Sequence, residues 1–271
     1  MNKSYKIIQE SDEFRDNDKY YWGYQYRLSQ EVLNPYLTEL KAFSEGYRVA
    51  EIGCAEGGVL AAFVEGGAKN ALGTDISKPR IDIGKRIADK LGLPLEFHYH
   101  DIINDAIPAD WLGAFDLILL RDVIEHLDFT ETALANIRRL LKPGGFLFVT
   151  FPPFHSPFGG HQHTVNSKPG MLPYIHLLPK SVLLKIISGG RENDIGEVLR
   201  LRKIRLTPKK FEYAANSAEF EIYHRDFYLL RPVFKMKFGL PALKITPLAS
   251  LPFIKNYLTL EACYILRNKN A

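Results

Sequence analysis

The sequence predicts a doubly wound α/β fold with a parallel sheet. Two observations carry this. Between Arg48 and Phe151, short apolar strands alternate with helical patterns at the spacing of repeated strand–helix units. Glycines or acidic residues (Gly53, Asp75, Asp101, Asp122) follow the strands, at the edge where such sheets bind ligands. At 271 residues and 46% hydrophobic content, the chain suits one large α/β domain or a domain with a substantial insertion.

The elements follow in order. A polar leader runs to Asp18, and Tyr20, Tyr21, Trp22, Tyr24 and Tyr26 form an aromatic cluster. Leu28, Val32, Leu33, Tyr36, Leu37 and Leu40 recur at helical spacing, which predicts an amphipathic helix over 27–43. The aromatics either staple that helix to the core or form a lid over the glycine loop that follows. Residues 48–52 read as the first strand, 53–58 as a tight turn and 59–65 as a helix. Ala71 to Gly73 ends in Thr74-Asp75, and a helix spans 78–91 with Pro79 in its first turn, where a missing N–H costs little. Strands are expected at 95–99, 115–120 and 146–151, with a helix over 130–141. Beyond them come a helix at 181–187, a polar surface stretch at 188–196, a helix at 208–217, a strand at 220–230 and a last strand at 258–266.

The chemistry concentrates at VAEIGCAEGG, Val49 to Gly58. Glycine at 53 and 57 permits backbone angles that a Cβ resists, and the following helix N-terminus offers free N–H groups. Asp75 lies about 20 residues further on, where a carboxylate accepts both hydroxyls of a ribose. A nicotinamide dehydrogenase combines the same features, but its usual turn is G-x-G-x-x-G, whereas Gly53, Gly57 and Gly58 follow G-x-x-x-G-G. A pyrophosphate also fits poorly beside Glu51 and Glu56, while a cationic cofactor suits them.

With AEIGCAEGG, GTDIS, HYHDI, FDLILLRDVIEHL and LLKPGGFLFVTFPP in this order, residues 45–153 resemble the class I S-adenosylmethionine-dependent methyltransferases, of the methyltransferase 11/12 type. The resemblance implies a Rossmann-like seven-stranded sheet with its last strand antiparallel. It assigns the loop at Gly53, Cys54, Ala55 and Gly57 to the methionine part of S-adenosyl-L-methionine, Asp75 with Ile76 to the ribose, and Asp101 with Ile102 to the adenine. Glu51 belongs near the cofactor's ammonium group, and Tyr24 and Arg121 complete the expected contacts.

Two further groups point to chemistry beyond the cofactor. Asp122, Glu125 and His126 stand as D-x-x-E-H. One reading is structural, the pair fixing the loop and capping the next helix. The other is a site for Mg²⁺ or another divalent cation, as in similar motifs of small-RNA 2′-O-methyltransferases and ubiquinone-pathway O-methyltransferases. Those commonly carry Glu at the first position, and Asp122 is shorter. The loop FPPFHSPFGGHQH supplies His155, His161 and His163, candidates for the general base that accepts the acceptor's proton, in the order His163, His161, His155.

Composition excludes some classes. Cys54 and Cys263 are far apart with no CxxC spacing, so neither a disulfide framework nor a cysteine zinc site is indicated. The N-terminal stretch does not read as a signal peptide, and no run of 18 apolar residues occurs, so a cytoplasmic location is expected. The charge of +4 and pI near 8.8 do not by themselves favour nucleic acid. Residues 231–255, basic, apolar and interrupted by four prolines, suit a cap over the substrate site; peripheral membrane contact is the alternative, and a nucleic-acid groove the least favoured.

The expected organisation is a single methyltransferase domain over 1–271. Within it, 1–44 is an N-terminal lid or helix, 45–153 the cofactor core, 154–203 a substrate loop and cap insertion, and 204–271 the last strands with a cap segment at 231–257. The expected activity is O-methylation of a small or medium-sized acceptor, such as a sugar, phenol or lipid-linked intermediate. The alternatives are a catalytically silent cofactor-binding protein and a metal-assisted RNA 2′-O-methyltransferase.

Overall fold

The computed structural model describes residues 3–165, 168–251 and 253–269. Among these residues eight strands form one sheet: β1 (Arg48–Ile52), β2 (Asn70–Asp75), β3 (Leu95–Tyr99), β4 (Phe115–Arg121), β5 (Leu141–Phe151), β6 (Phe220–Leu230), β7 (Leu243–Lys244) and β8 (Glu261–Asn268). Their order is β3-β2-β1-β4-β5-β8-β6-β7. The first five are parallel, and β8 runs antiparallel between β5 and β6. The expected seven strands are present with the last antiparallel, and the two-residue β7 adds an edge pairing too short to leave a periodic signal.

Among the described residues, ten α-helices surround the sheet: α1 (Lys3–Gln9), α2 (Asp16–Leu28), α3 (Asn34–Glu39), α4 (Gly58–Glu65), α5 (Lys78–Leu91), α6 (Thr130–Leu140), α7 (Lys180–Ile187), α8 (Glu192–Ile204), α9 (Pro208–Ser217) and α10 (Phe234–Phe238). The central strands are buried on both faces, as a doubly wound sheet requires. Ile118, Leu120, Leu147 and Val149 join the core beneath α6 and α9, while their neighbours Leu117, Leu119, Phe146 and Phe148 join the core beneath α3, α4 and α5. The two-residue period of the strands sorts these side chains between the two layers.

Three expectations are corrected. The helix placed at 27–43 begins at Asp16, passes through a π-turn at Ser29–Leu33 and ends at Glu39. Asp16 and Asp18 in its first turn complement the helix dipole. The leader is not merely polar: α1 buries Ile8 in one cluster with Trp22 and Tyr26. The stretch 188–196 runs into α8, whose buried face holds only Val198 and Leu201, too sparse a pattern to announce a helix. Of the four prolines in 231–255, Pro252 lies outside the described residues.

Candidate active site

The carboxyl ends of the parallel strands open onto a cleft of about 490 Å³. After β1 the chain turns sharply: Gly53 has φ +75°, and a Cβ there would lie 2.4 Å from Cγ2 of Val123. The Gly53 and Cys54 N–H groups both donate to the Thr74 carbonyl, at 2.7 and 3.0 Å, tying the turn to the end of β2. Asp75 then closes the arrangement, accepting from the Ala55 N–H (3.0 Å) and the Ser77 N–H (2.8 Å). Its carboxylate is held by two backbone donors and keeps lone pairs for a ligand's hydroxyls.

Glu51, Gly53, Ala55, Asp75, Ile76, Asp101, Ile102, Arg121 and Tyr24 all line the cleft. Cys54 and Gly57 do not: Cys54 is buried behind the turn, and Gly57 caps α4 with φ +77°. Both act by shaping the turn. Asp101 is oriented by the Ile103 N–H at 2.8 Å and the Asn104 amide at 2.8 Å. Glu51 is 3% exposed, its Oε1 is 3.5 Å from Arg121 Nη1, and its Oε2 has no hydrogen-bond partner. Burial pushes its carboxyl up to about 8, against the pull of Arg121. A buried carboxyl oxygen left unpaired beside a cleft is suited to a cationic group.

The residues after β4 divide between two partners. Asp122, at φ +51°, accepts from Arg231 Nη2 at 2.7 and 3.0 Å, and Arg231 Nε donates to Glu261 at 2.7 Å. Behind them lies a chamber of about 50 Å³ that shares Tyr24, Arg121 and Asp122 with the cleft and is also lined by Tyr36, Thr150, Glu261 and Cys263. Glu125 faces elsewhere. It is 2% exposed, neither of its oxygens has a hydrogen-bond partner, and Oε1 lies 3.8 Å from His126 Nε2 and 3.7 Å from His161 Nε2. Burial carries Glu125 up to about 8, with His126 opposing.

The structure therefore regroups the expected metal ligands. Glu125, His126 and His161 each offer a ligand atom within 4.8 Å of the others, while the Asp122 carboxylate is engaged by Arg231. Arg231 lies 109 residues from Asp122, beyond the reach of any local motif. His126 lines the cleft, and its Nδ1 is 2.5 Å from Glu197 Oε1. Burial works against its charge, but Glu197 and Glu125 hold it above the usual histidine range. His161 moves the opposite way, to about 3, through burial and the neighbouring His126.

None of the three proposed base histidines lines the cleft. His161 comes nearest, its ring 4.9 Å from that of His126. His163, ranked first from sequence, is exposed and packs on Phe158, and His155 sits between the rings of Phe154 and Tyr257. Their ordering on the loop carried no information about which one turns inward. Arg200 and Phe129 also line the cleft and were not expected; Arg200 belongs to α8, the helix the sequence concealed.

Residues 50–147 match the model of the methyltransferase domain family. Over that stretch the chain is similar to methyltransferase domains. It is also similar to the ubiquinone biosynthesis O-methyltransferase of Chromobacterium violaceum, with 27% identity over 103 residues, 38% of this chain and 43% of the relative. The enzyme of the same description from Coxiella burnetii is 29% identical over 136 residues, 50% of this chain and 54% of the relative. The chain thus spans about half the length of these relatives. A solved S-adenosylmethionine-dependent methyltransferase from Mesorhizobium loti shares the fold, with TM-score 0.53, 15% identity, and 85% and 96% of the two chains covered.

Proposed function

We propose that the protein is an S-adenosylmethionine-dependent methyltransferase acting on an oxygen of a small or lipid-linked acceptor, with a phenol as the preferred class. The observation that carries the cofactor assignment is Glu51, a buried carboxyl with one unpaired oxygen at the mouth of the Gly53 turn, opposite the backbone-clamped Asp75. That pairing fits a ligand with an ammonium at one end and ribose hydroxyls at the other. Ile76 and Ile102 offer apolar surface for the adenine, with Asp101 at its edge.

Bound S-adenosylmethionine supplies an electrophilic methyl group on a sulfonium. The chain's own part is to orient and to manage one proton. Gly53 and Asp75 set the cofactor's position, and Tyr24, Arg121 and Asp122, shared between cleft and chamber, mark where the acceptor oxygen meets it. Alignment of the reactants accounts for most of the expected acceleration. The group we assign to accept the proton, in preference to the exposed His163, is His161, which adjoins His126 at the cleft; burial and His126 leave it a weak base, and ionisation of Glu125, 3.7 Å from its Nε2, is what raises its affinity for the proton. The oxygen acceptor rests on the descriptions of the partial relatives together with these imidazoles.

A second reading is favoured by the unpaired oxygens of Glu125. One carboxylate and two imidazoles suit Mn²⁺ or Zn²⁺ better than Mg²⁺, which prefers oxygen ligands. In that reading Glu125, His126 and His161 hold the ion, and His161 is a ligand instead of a base.

The test is incubation with methyl-labelled cofactor and a panel of phenols, sugars and prenylated phenols, before and after chelation. Label transfer to the phenols supports the proposal, and tight cofactor binding with no transfer to any acceptor would indicate a silent binding protein. Activity lost on chelation and restored by Mn²⁺ selects the metal reading; activity indifferent to chelation selects the base.

A further inference from the structure

The clearest feature outside the site is a pair of chain stretches without acidic residues. From Thr132 to Arg191, and again from Phe227 to Leu260, the chain contains no Asp or Glu. These stretches also hold most of the exposed large hydrophobic side chains beyond residue 130. Met171, Leu172, Leu248, Leu251 and Phe253 are each more than half exposed. The two stretches meet in space: the Tyr174 hydroxyl donates to the Tyr257 carbonyl at 2.9 Å, and the Phe253 and Tyr257 rings stack at 5.1 Å.

The charges that these two stretches themselves carry are of one sign. Lys244 and Lys255 are neutralised by Asp226 and Glu212, but exposed Lys168, Lys180, Lys185 and Lys235 have no carboxylate partner among the described residues. Apolar side chains standing out of a soluble fold, with unpaired lysines among them, mark an interaction face. A second copy of the chain would bring like charges together. Nucleic acid would satisfy the lysines but gain little from Leu248, Leu251, Met171 and Leu172, which cannot stack on bases as aromatic platforms do. An anionic bilayer satisfies both, with phosphates taking the lysines and the acyl boundary the leucines and Phe253.

We propose that the face these two acid-free stretches build seats the protein on an anionic phospholipid membrane. Short turns, in place of one amphipathic helix, carry the apolar groups: Thr246–Leu248 is a single 3₁₀ turn, and the prolines at 241 and 247 break the segment. The face borders the acceptor side of the site. Arg231, near the start of the second stretch, lines the chamber, and Lys237 lies over the ring of Tyr24, which lines both chamber and cleft.

The proposal is independent of the methyltransferase reading and is tested without turnover, by flotation of the full chain with phosphatidylcholine vesicles made with and without phosphatidylglycerol. Retention is expected only with phosphatidylglycerol and should fall at high salt. Each of Lys180→Ala and Lys185→Ala should weaken it about fivefold, and Leu251→Glu with Phe253→Glu should weaken it roughly tenfold or more. Thermal melting and S-adenosylhomocysteine binding of the variants serve as controls for folding. No retention on either vesicle, or retention insensitive to all four substitutions, overturns the proposal. So does a concentration-dependent dimer that the Leu251 and Phe253 substitutions dissolve, which would assign the face to a second copy.

Discussion

The proposed cofactor side and the proposed acceptor side of this molecule are built differently. Around Gly53 and Asp75 the contacts are backbone to backbone or backbone to carboxylate, and they join residues at most about two dozen positions apart. Around Glu125 and Asp122 they are side chain to side chain and join residues tens to more than a hundred positions apart: Glu125 with His161, His126 with Glu197, Asp122 with Arg231. A pocket made of turns recognises one ligand through its shape. A pocket made of side chains from several elements can be altered for another acceptor without disturbing the first.

Substitutions can break this comparison, since those on one side should leave the other side's measurement unmoved. The largest effect is expected at His161. His161→Ala should lower turnover by about 10²-fold or more, the usual contribution of a positioned proton acceptor, while calorimetry with S-adenosylhomocysteine finds affinity within about twofold of the parent. A parallel loss of affinity would mean that the two sides are not separable. Gly53→Ala is the converse. A left-handed alanine costs about 1–2 kcal/mol, and its Cβ presses on Val123 at 2.4 Å. Cofactor affinity should fall roughly 30- to 150-fold, by about 2–3 kcal/mol, and normal binding in a titration would show that the turn can relax.

A smaller effect concerns Glu51, raised to about 8 by burial. A cationic ammonium favours the ionised carboxylate, so binding expels a proton from Glu51 at neutral pH. Affinity should therefore rise severalfold as the pH goes from about 6.5 to 8, with proton release seen as a buffer-dependent heat; Glu51→Gln should flatten the pH dependence. The smallest effect is at His163, exposed on the loop beside Phe158. His163→Ala should change turnover less than about twofold, and a loss comparable to that of His161→Ala would return it to the head of the candidates.

Several elements were legible to the residue. β1, α5, β3, α9 and β6 begin and end where the pattern of apolar residues, Pro79, Pro208 and the flanking polar groups place them. Their signals are local: a two- or 3.6-residue period, or a proline at a helix start. α8 and the π-turn in the N-terminal helix were not legible. α8 buries two side chains only, and the turn is an irregularity in a helix whose apolar period continues through it.

By itself the sequence determined the fold class, the glycine turn after β1 and the carboxylates beyond each strand, because a parallel sheet sends every strand end to one edge and the turn's geometry is written in its glycines. Only the tertiary structure decided which histidine joins Glu125, that Asp122 belongs to Arg231, and that two acid-free stretches form one surface. Those are pairings between side chains on separate elements. They depend on how loops cross the sheet edge, and no period or spacing along the chain encodes that.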